Sequence, residues 1–294
     1  MNSLQALPSP WRIITQGISI YRTNFALFFR IALQSTIWIL ASNLMWLMVF
    51  AGLFISFFGW ILLPVSKLSW TIIAIAIILL IAIVCFGIFA SAKGLLQSAL
   101  ISRITYQILL EQPESLQDNF RQIRPQMWQL WFSRNMLNIT AYALGRTFLD
   151  SDQWWLILVG FALQLCFVAE YFISDVIIAV ERRKAISSLK SSYRLSKSHL
   201  LYIATTMVIA GLLLIPLDVL AFSPLFLAWS SINQGSDVDL LTSLVNVGTL
   251  QQLAQALGLS LLLYTLAQVV AMPVWQSIKA VLYQTLRTVN LSHV

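Results

Sequence analysis

Glu170 and Asp175 are embedded in a run, Trp154 to Val180, that carries no other charge. A carboxyl group among apolar side chains suits a buried ion pair or hydrogen bond, a proton or ion relay, or acid–base chemistry on a lipid. The ion pair is the expected reading, because the preceding apolar segment carries Arg134. Counted outward from the turn at Asp150-Ser151-Asp152, Arg134 falls opposite residue 169, beside Glu170. Arg134, Glu170 and Asp175 thus form a candidate intramembrane polar cluster, its two acids read as the only ones at membrane depth.

Other reactive side chains offer little. His199 and His293 are the only histidines, and neither has a nucleophile or a metal-ligating neighbour in sequence. Cys85 and Cys166 each lie in an apolar run, where a thiol behaves as a small hydrophobe. No glycine-rich phosphate loop follows a strand. The expectation is a non-enzymatic chain with no metal and no cofactor.

Basic residues give a second pattern. Arg183, Lys190, Arg194 and Lys197 recur at helical spacing beside an apolar stripe of Ile186, Leu189, Tyr193 and Leu200. Such a helix lies half-buried at a membrane surface, its cations snorkelling to anionic headgroups. These four residues are the candidate lipid contacts.

The elements that position both groups follow from composition. Hydrophobic residues make up 59% of the 294 and charged residues only 10%, too few to solvate a soluble domain. The formal charge of +7 is explained by basic loops near anionic headgroups, not by nucleic acid. The residues before Pro10 lack a signal-peptide pattern, so the first apolar run is expected to remain.

The fold class expected is all-α, a single polytopic membrane domain over residues 1–294 with six transmembrane helices and amphipathic cytoplasmic interfacial helices. The spans are placed at about 29–57, 69–92, 127–149, 154–180, 200–222 and 254–282, each near the ~20 residues a bilayer requires. An interfacial helix is expected at 10–24, with Trp11, Ile14, Ile18, Tyr21 and Phe25 in one stripe; its alternative is a helix packed on the protein itself. A cytoplasmic elbow follows at 111–126, the basic connector at 181–199, and an external loop at 223–252 containing a short helix around Leu240, Leu241 and Leu244. Ala90 and Gly94 would permit close helix contact, Pro216 is expected to kink its span, and Pro273 to interrupt the last one.

Orientation comes from charge. With both termini cytoplasmic, only Lys67 and Arg146 of the 18 Lys and Arg residues fall toward the outside, which is the positive-inside pattern. A five-span alternative, with the third segment lying in the interface, would put the basic connector outside. Tyr21-Arg22 and Tyr193-Arg194 each precede a span, a faint echo that does not establish a duplication.

Glu181, Ala185, Ser188, Leu189, Tyr193, Arg194 and Leu195, followed by a span, resemble the pattern of stand-alone bacterial relatives of the glycerophosphoryl diester phosphodiesterase membrane domain. Pro273 with Tyr283, Leu286 and Arg287 resembles that family's closing segment, although Ser174-Asp175 and Thr285 depart from it. The resemblance implies a six-helix integral module without the family's soluble catalytic domain. Two functions are therefore weighed: a module organising lipids, a protein partner or further copies of itself at the cytoplasmic face of a bacterial inner or other internal membrane, and a transporter of a small molecule, lipid or ion.

Overall fold

The structure is a computed structural model that describes residues 7–62, 70–112, 114–149, 153–234 and 247–291. In chain order it forms α1 (Pro10–Thr23), α2 (Phe25–Leu62), α3 (Trp70–Leu109), α4 (Leu116–Ile123), α5 (Met127–Leu149) and α6 (Trp154–Glu170). There follow α7 (Ser174–Glu181), α8 (Ala185–Ser196), α9 (Leu200–Gln234) and α10 (Val247–Leu291). The Asp150–Asp152 turn, Pro64, Lys67, the short helix around Leu240 and His293 lie outside the described residues.

Long helices of this composition have two zones. The 40 residues of α3 rise roughly 60 Å, twice the ~30 Å hydrocarbon core of a bilayer. Its first half exposes Ile75, Ile77, Ile78, Leu79 and Ile81, whereas Ala90 through Tyr106 are mostly buried against other helices. The same change occurs along α10, which exposes Leu257, Leu259, Leu262 and Leu266 and then buries Ile278 through Tyr283. Lipid is the solvent that the exposed zone requires. The packed zone holds the two apolar cores, one around Ile14, Ile173, Ile177, Ile203 and Tyr283, the other around Phe28, Leu100, Ile123 and Ile178.

Among the described residues, five helical stretches are long and apolar enough to cross a membrane: Phe25–Leu53, Ala74–Leu109, Trp154–Glu181, Ala185–Ser231 and Gln251–Asn290. The chain is an all-α polytopic membrane protein. The expected sixth span, α5, is a continuous helix but does not belong to that set. Gln129, Arg134, Asn135, Asn138 and Arg146 lower its apolarity.

Several local expectations are corrected. The expected span at 154–180 is present as the stretch Trp154–Glu181, but it is two helices and not one, with a turn at Tyr171–Ile173 between α6 and α7. The described parts of the expected external loop at 223–252 are helical, since α9 runs on to Gln234 and α10 begins at Val247. With no charge or glycine between Ser223 and Gln234, nothing but Pro224 opposes the helix there, and membrane helices tolerate proline. Pro273 likewise sits inside an uninterrupted helix, α10, and Pro216 lies within α9.

The first helix is packed on the protein. Ile13, Ile14 and Tyr21 are buried, and a Cβ on Gly17 would lie 2.8 Å from Ile278 Cγ1, so α10 sits directly on the α1 backbone. Only Trp11 and Phe25 of the expected stripe remain exposed. Small residues also join α2 to α3. Ser35 and Ser42 donate to the Gly94 and Gly87 carbonyls at 2.7 and 2.8 Å, and a Cβ on Gly94 would lie 2.6 Å from Ile39 Cγ1. The close contact expected at Ala90 and Gly94 is therefore present.

The elbow is a true helix. Ser115 caps it by accepting from the Asp118 N–H at 3.1 Å, and its hydroxyl donates to the Asp118 carboxylate at 2.6 Å.

Candidate functional site: a buried charge network beneath a helix ring

Helices α3, α5, α6, α9 and α10 touch in succession and close a ring, with α2 packed outside against α3 and α10. The register of α5 on α6 is set by two glycines. A Cβ on Gly160 would come 2.4 Å from Phe148 Cβ, and one on Gly145 would lie 3.3 Å from the Gln164 amide oxygen. Carried down the pair, this register sets Arg134 level with Asp175, not with Glu170. Among the described residues Arg134 and Glu170 form no ion pair. Equal counting from the turn failed because the two helices are offset along their axes.

Asp175 is paired with Lys279 instead. The Lys279 ammonium donates to Asp175 Oδ2 at 2.7 Å, with the Lys279 side chain 5% exposed and that of Asp175 28% exposed. The other carboxylate oxygen accepts from the Val176 N–H at 3.0 Å, at the start of α7, where a negative charge is favoured by the helix dipole. Gln276 extends the network: its amide donates to Ser98 Oγ at 2.7 Å, and its oxygen accepts from Ser102 at 2.6 Å. The Phe172 ring lies 4.9 Å from Lys279 Nζ and meets Trp275 edge-on at 5.3 Å. Buried polar groups thus join α3, α7 and α10 just beyond the last lipid-exposed side chains of α3, α6 and α10, Phe89, Val168 and Val270.

Glu170 ends α6. The helix break leaves its backbone carbonyl without a helical partner, and Ser192 Oγ supplies a hydrogen bond at 2.9 Å. Its carboxylate is half-buried and belongs to no ion pair among the described residues.

Two cationic groups were missed as site residues because the charge census counts them only among the basic residues at cytoplasmic ends. Lys279 is one. Arg103 is the other: buried, it donates from Nε to Asn119 Oδ1 and from Nη1 to the Ala179 carbonyl, both at 2.9 Å, and lies 3.5 Å from Glu114. Arg182 also donates to Gln122, from a left-handed backbone (φ 56°) that closes α7. A third missed residue is Asp218. It is a further acid within the lipid-exposed zone, half-exposed on α9, so Glu170 and Asp175 are not the only intramembrane acids.

The connector forms α8, whose first N–H donates to Gln129 Oε1 at 2.9 Å. Its buried face is Ala185, Ser188, Ser192 and Ser196, small enough to let the backbone approach the bundle. Arg183, Lys190, Arg194 and Lys197 are all exposed, as are Ile186 and Tyr193 beside them.

Among the described residues no group of His, Cys, Asp and Glu could hold a metal ion. Fold and site define the class: a multi-pass, helical membrane protein with a charged network beneath its lipid-exposed zone. No family model matches the chain, and no curated protein or solved structure matches it either.

Proposed function

We propose that this is a non-enzymatic membrane module that organises lipids or partner proteins at the cytoplasmic face of a bacterial inner membrane, with α8 as its headgroup-binding element. The observation that carries this reading is the three-sided character of α8. Serines face the bundle, Lys190 and Arg194 on α8 and Lys197 just after it face outward, Arg183 just before it is exposed and paired with Glu181 at 2.5 Å, and Ile186, 69% exposed, lies beside them with Tyr193. Leu201, at the start of α9, is 82% exposed and continues the apolar surface. A basic face next to exposed apolar side chains is what an anionic membrane surface attracts, at about 1 kcal/mol per cation.

Two residues from the segments that carry the resemblance to the phosphodiesterase membrane-domain family meet in the fold. Tyr283 donates to Glu181, joining the two separate motif segments, and Arg287 donates to Tyr106 Oη at 2.7 Å.

Replacing Lys190, Arg194 and Lys197 together by Gln, with Arg183 kept because it pairs with Glu181, is expected to leave folding intact and to weaken anionic-lipid binding by about two orders of magnitude, taking about 1 kcal/mol per cation. Lipid retained by the purified protein, measured by native mass spectrometry, checks this. Unchanged retention of anionic over zwitterionic lipid would overturn the role of α8.

In the proposed topology α5 is a sixth span and both termini are cytoplasmic. A reporter active only in the cytoplasm, fused after Val294, is therefore expected to be active, and an inactive fusion would sink the even span count.

A further inference from the structure

Of the two acids predicted to share a polar cluster, Asp175 has a cation and Glu170 has none among the described residues. The Glu170 carboxylate is nonetheless half-buried. Cations of the surrounding elements are engaged elsewhere or turned away. Lys279 of α10 holds Asp175, Arg183 of the connector holds Glu181 at 2.5 Å and Ser191 at 2.8 Å, and Arg134 of α5 is level with Asp175. Lys190, Arg194 and Lys197 sit at least about 140° around the α8 axis from Ser192, the residue that meets the end of α6. All three are exposed.

Aromatic rings stand where the cation is missing. Phe167 precedes Glu170 by three residues and shares its side of α6. Tyr171 follows Glu170 at the helix end, and Tyr193 comes across from α8, next to the Ser192 hydroxyl that donates to the Glu170 carbonyl at 2.9 Å. The three rings form a row, with 5.0 Å between the centroids of Phe167 and Tyr171 and 6.5 Å between those of Tyr171 and Tyr193, whose planes are 25° apart. The carboxylate is near enough for its charge to act on the Tyr171 hydroxyl. Phe167 and Tyr171 are half-buried and Tyr193 is 37% exposed, so the row opens outward at Tyr193.

Ring faces attract ammonium groups electrostatically, and a carboxylate beside them supplies the countercharge. On a chain of net charge +7 this is a negative spot. A hard metal ion would need several oxygen ligands, whereas an ammonium group is satisfied by one carboxylate and apolar ring faces. We propose that Glu170, Phe167, Tyr171 and Tyr193 bind the ammonium group of an organic amine, carried on a lipid head or free in solution, with Glu170 neutralising its charge and the rings contacting the carbons beside it. The site does not rest on the anionic-lipid role of α8, whose cations lie on the other side of that helix.

The test uses the full chain in non-ionic detergent, with native mass spectrometry and thermal unfolding as readouts. The probes are lysophosphatidylethanolamine and its N-acetyl derivative, which keeps the phosphate and the tail but has no ammonium group. Because the phosphate of either lipid can meet α8, the quantity that reports this site is the ratio of their affinities. Glu170→Gln is expected to lower that ratio about ten- to hundredfold, the worth of one charge-assisted hydrogen bond, with the melting temperature of the lipid-free protein unchanged. Tyr193→Leu, which keeps an apolar side chain but removes the ring face, should lower it about two- to thirtyfold. Free ethanolamine that displaces the lysolipid at millimolar concentration supports the site with a soluble amine as its ligand, and binding that ethanolamine leaves untouched supports it with a lipid head. A ratio unchanged by Glu170→Gln overturns the site. Should that variant unfold, a ratio unchanged by Tyr193→Leu overturns it equally.

Discussion

Asp175→Asn is expected to destabilise the folded protein by roughly 3 to 5 kcal/mol, the cost of leaving one partner of a buried ion pair without the other. The burden falls on Lys279. Its side chain is 5% exposed, with Phe172 on one side and the α3 serines nearby, so water cannot take the place of the lost carboxylate. The reverse substitution, Lys279→Met, should cost less, because the Asp175 side chain is 28% exposed and keeps its bond from the Val176 N–H. The double variant should recover most of the loss, since an apolar pair of similar volume is often neutral in place of a buried ion pair. Unfolding in detergent with increasing dodecyl sulfate, run as a double-mutant cycle, measures all three. Additive losses would mean that the two residues do not act as a pair. Glu170→Gln is the control: with no ion pair to lose, it should stay within about 0.5 kcal/mol of the parent.

The contrast between Glu170 and Asp175 shows where sequence reasoning holds and where it stops. Membrane character, helix identity and the elbow capped by Ser115 all follow from composition, apolar run length and short-range side-chain chemistry, and all are present in the structure. Pairing across helices follows from axial offset and azimuth, which a count of residues from a turn does not contain. The five-residue difference between Glu170 and Asp175 arises from Gly160 seating Phe148, a contact that no run length predicts. The break at Tyr171–Ile173 was equally hidden, for it contains neither proline nor glycine.

A span needs only about 20 residues, whereas α3, α9 and α10 hold 40, 35 and 45. Their surplus length builds the packed zone. Lys279 and Arg103 fall within that surplus as interior partners, and a count of charges at cytoplasmic ends does not reveal which helices they join. Asp218 was overlooked because it lies inside a span whose apolar character was not in doubt.

The packed zone depends on Arg103 as much as on the Asp175–Lys279 pair. Its guanidinium is a planar fork that reaches three elements at once: Asn119 and Gln122 on α4, the Ala179 carbonyl on α7, and Glu114 at the entrance to the elbow. Asn119 and Ala179 are fully buried. Removing the fork leaves at least two buried acceptors without a donor, at about 1 to 3 kcal/mol each. Arg103→Met is therefore expected to cost about 3 kcal/mol or more and to release α4 first, since α4 has only eight residues and too few internal bonds to hold a helix alone. Arg103→Lys should recover little, because an ammonium on a single stem cannot face α4 and the Ala179 carbonyl together. Hydrogen exchange resolved along the chain distinguishes this from general loosening. Protection should fall across residues 114–126 well before it falls in α10, and a uniform loss of protection would show that Arg103 supports the whole bundle and not the elbow.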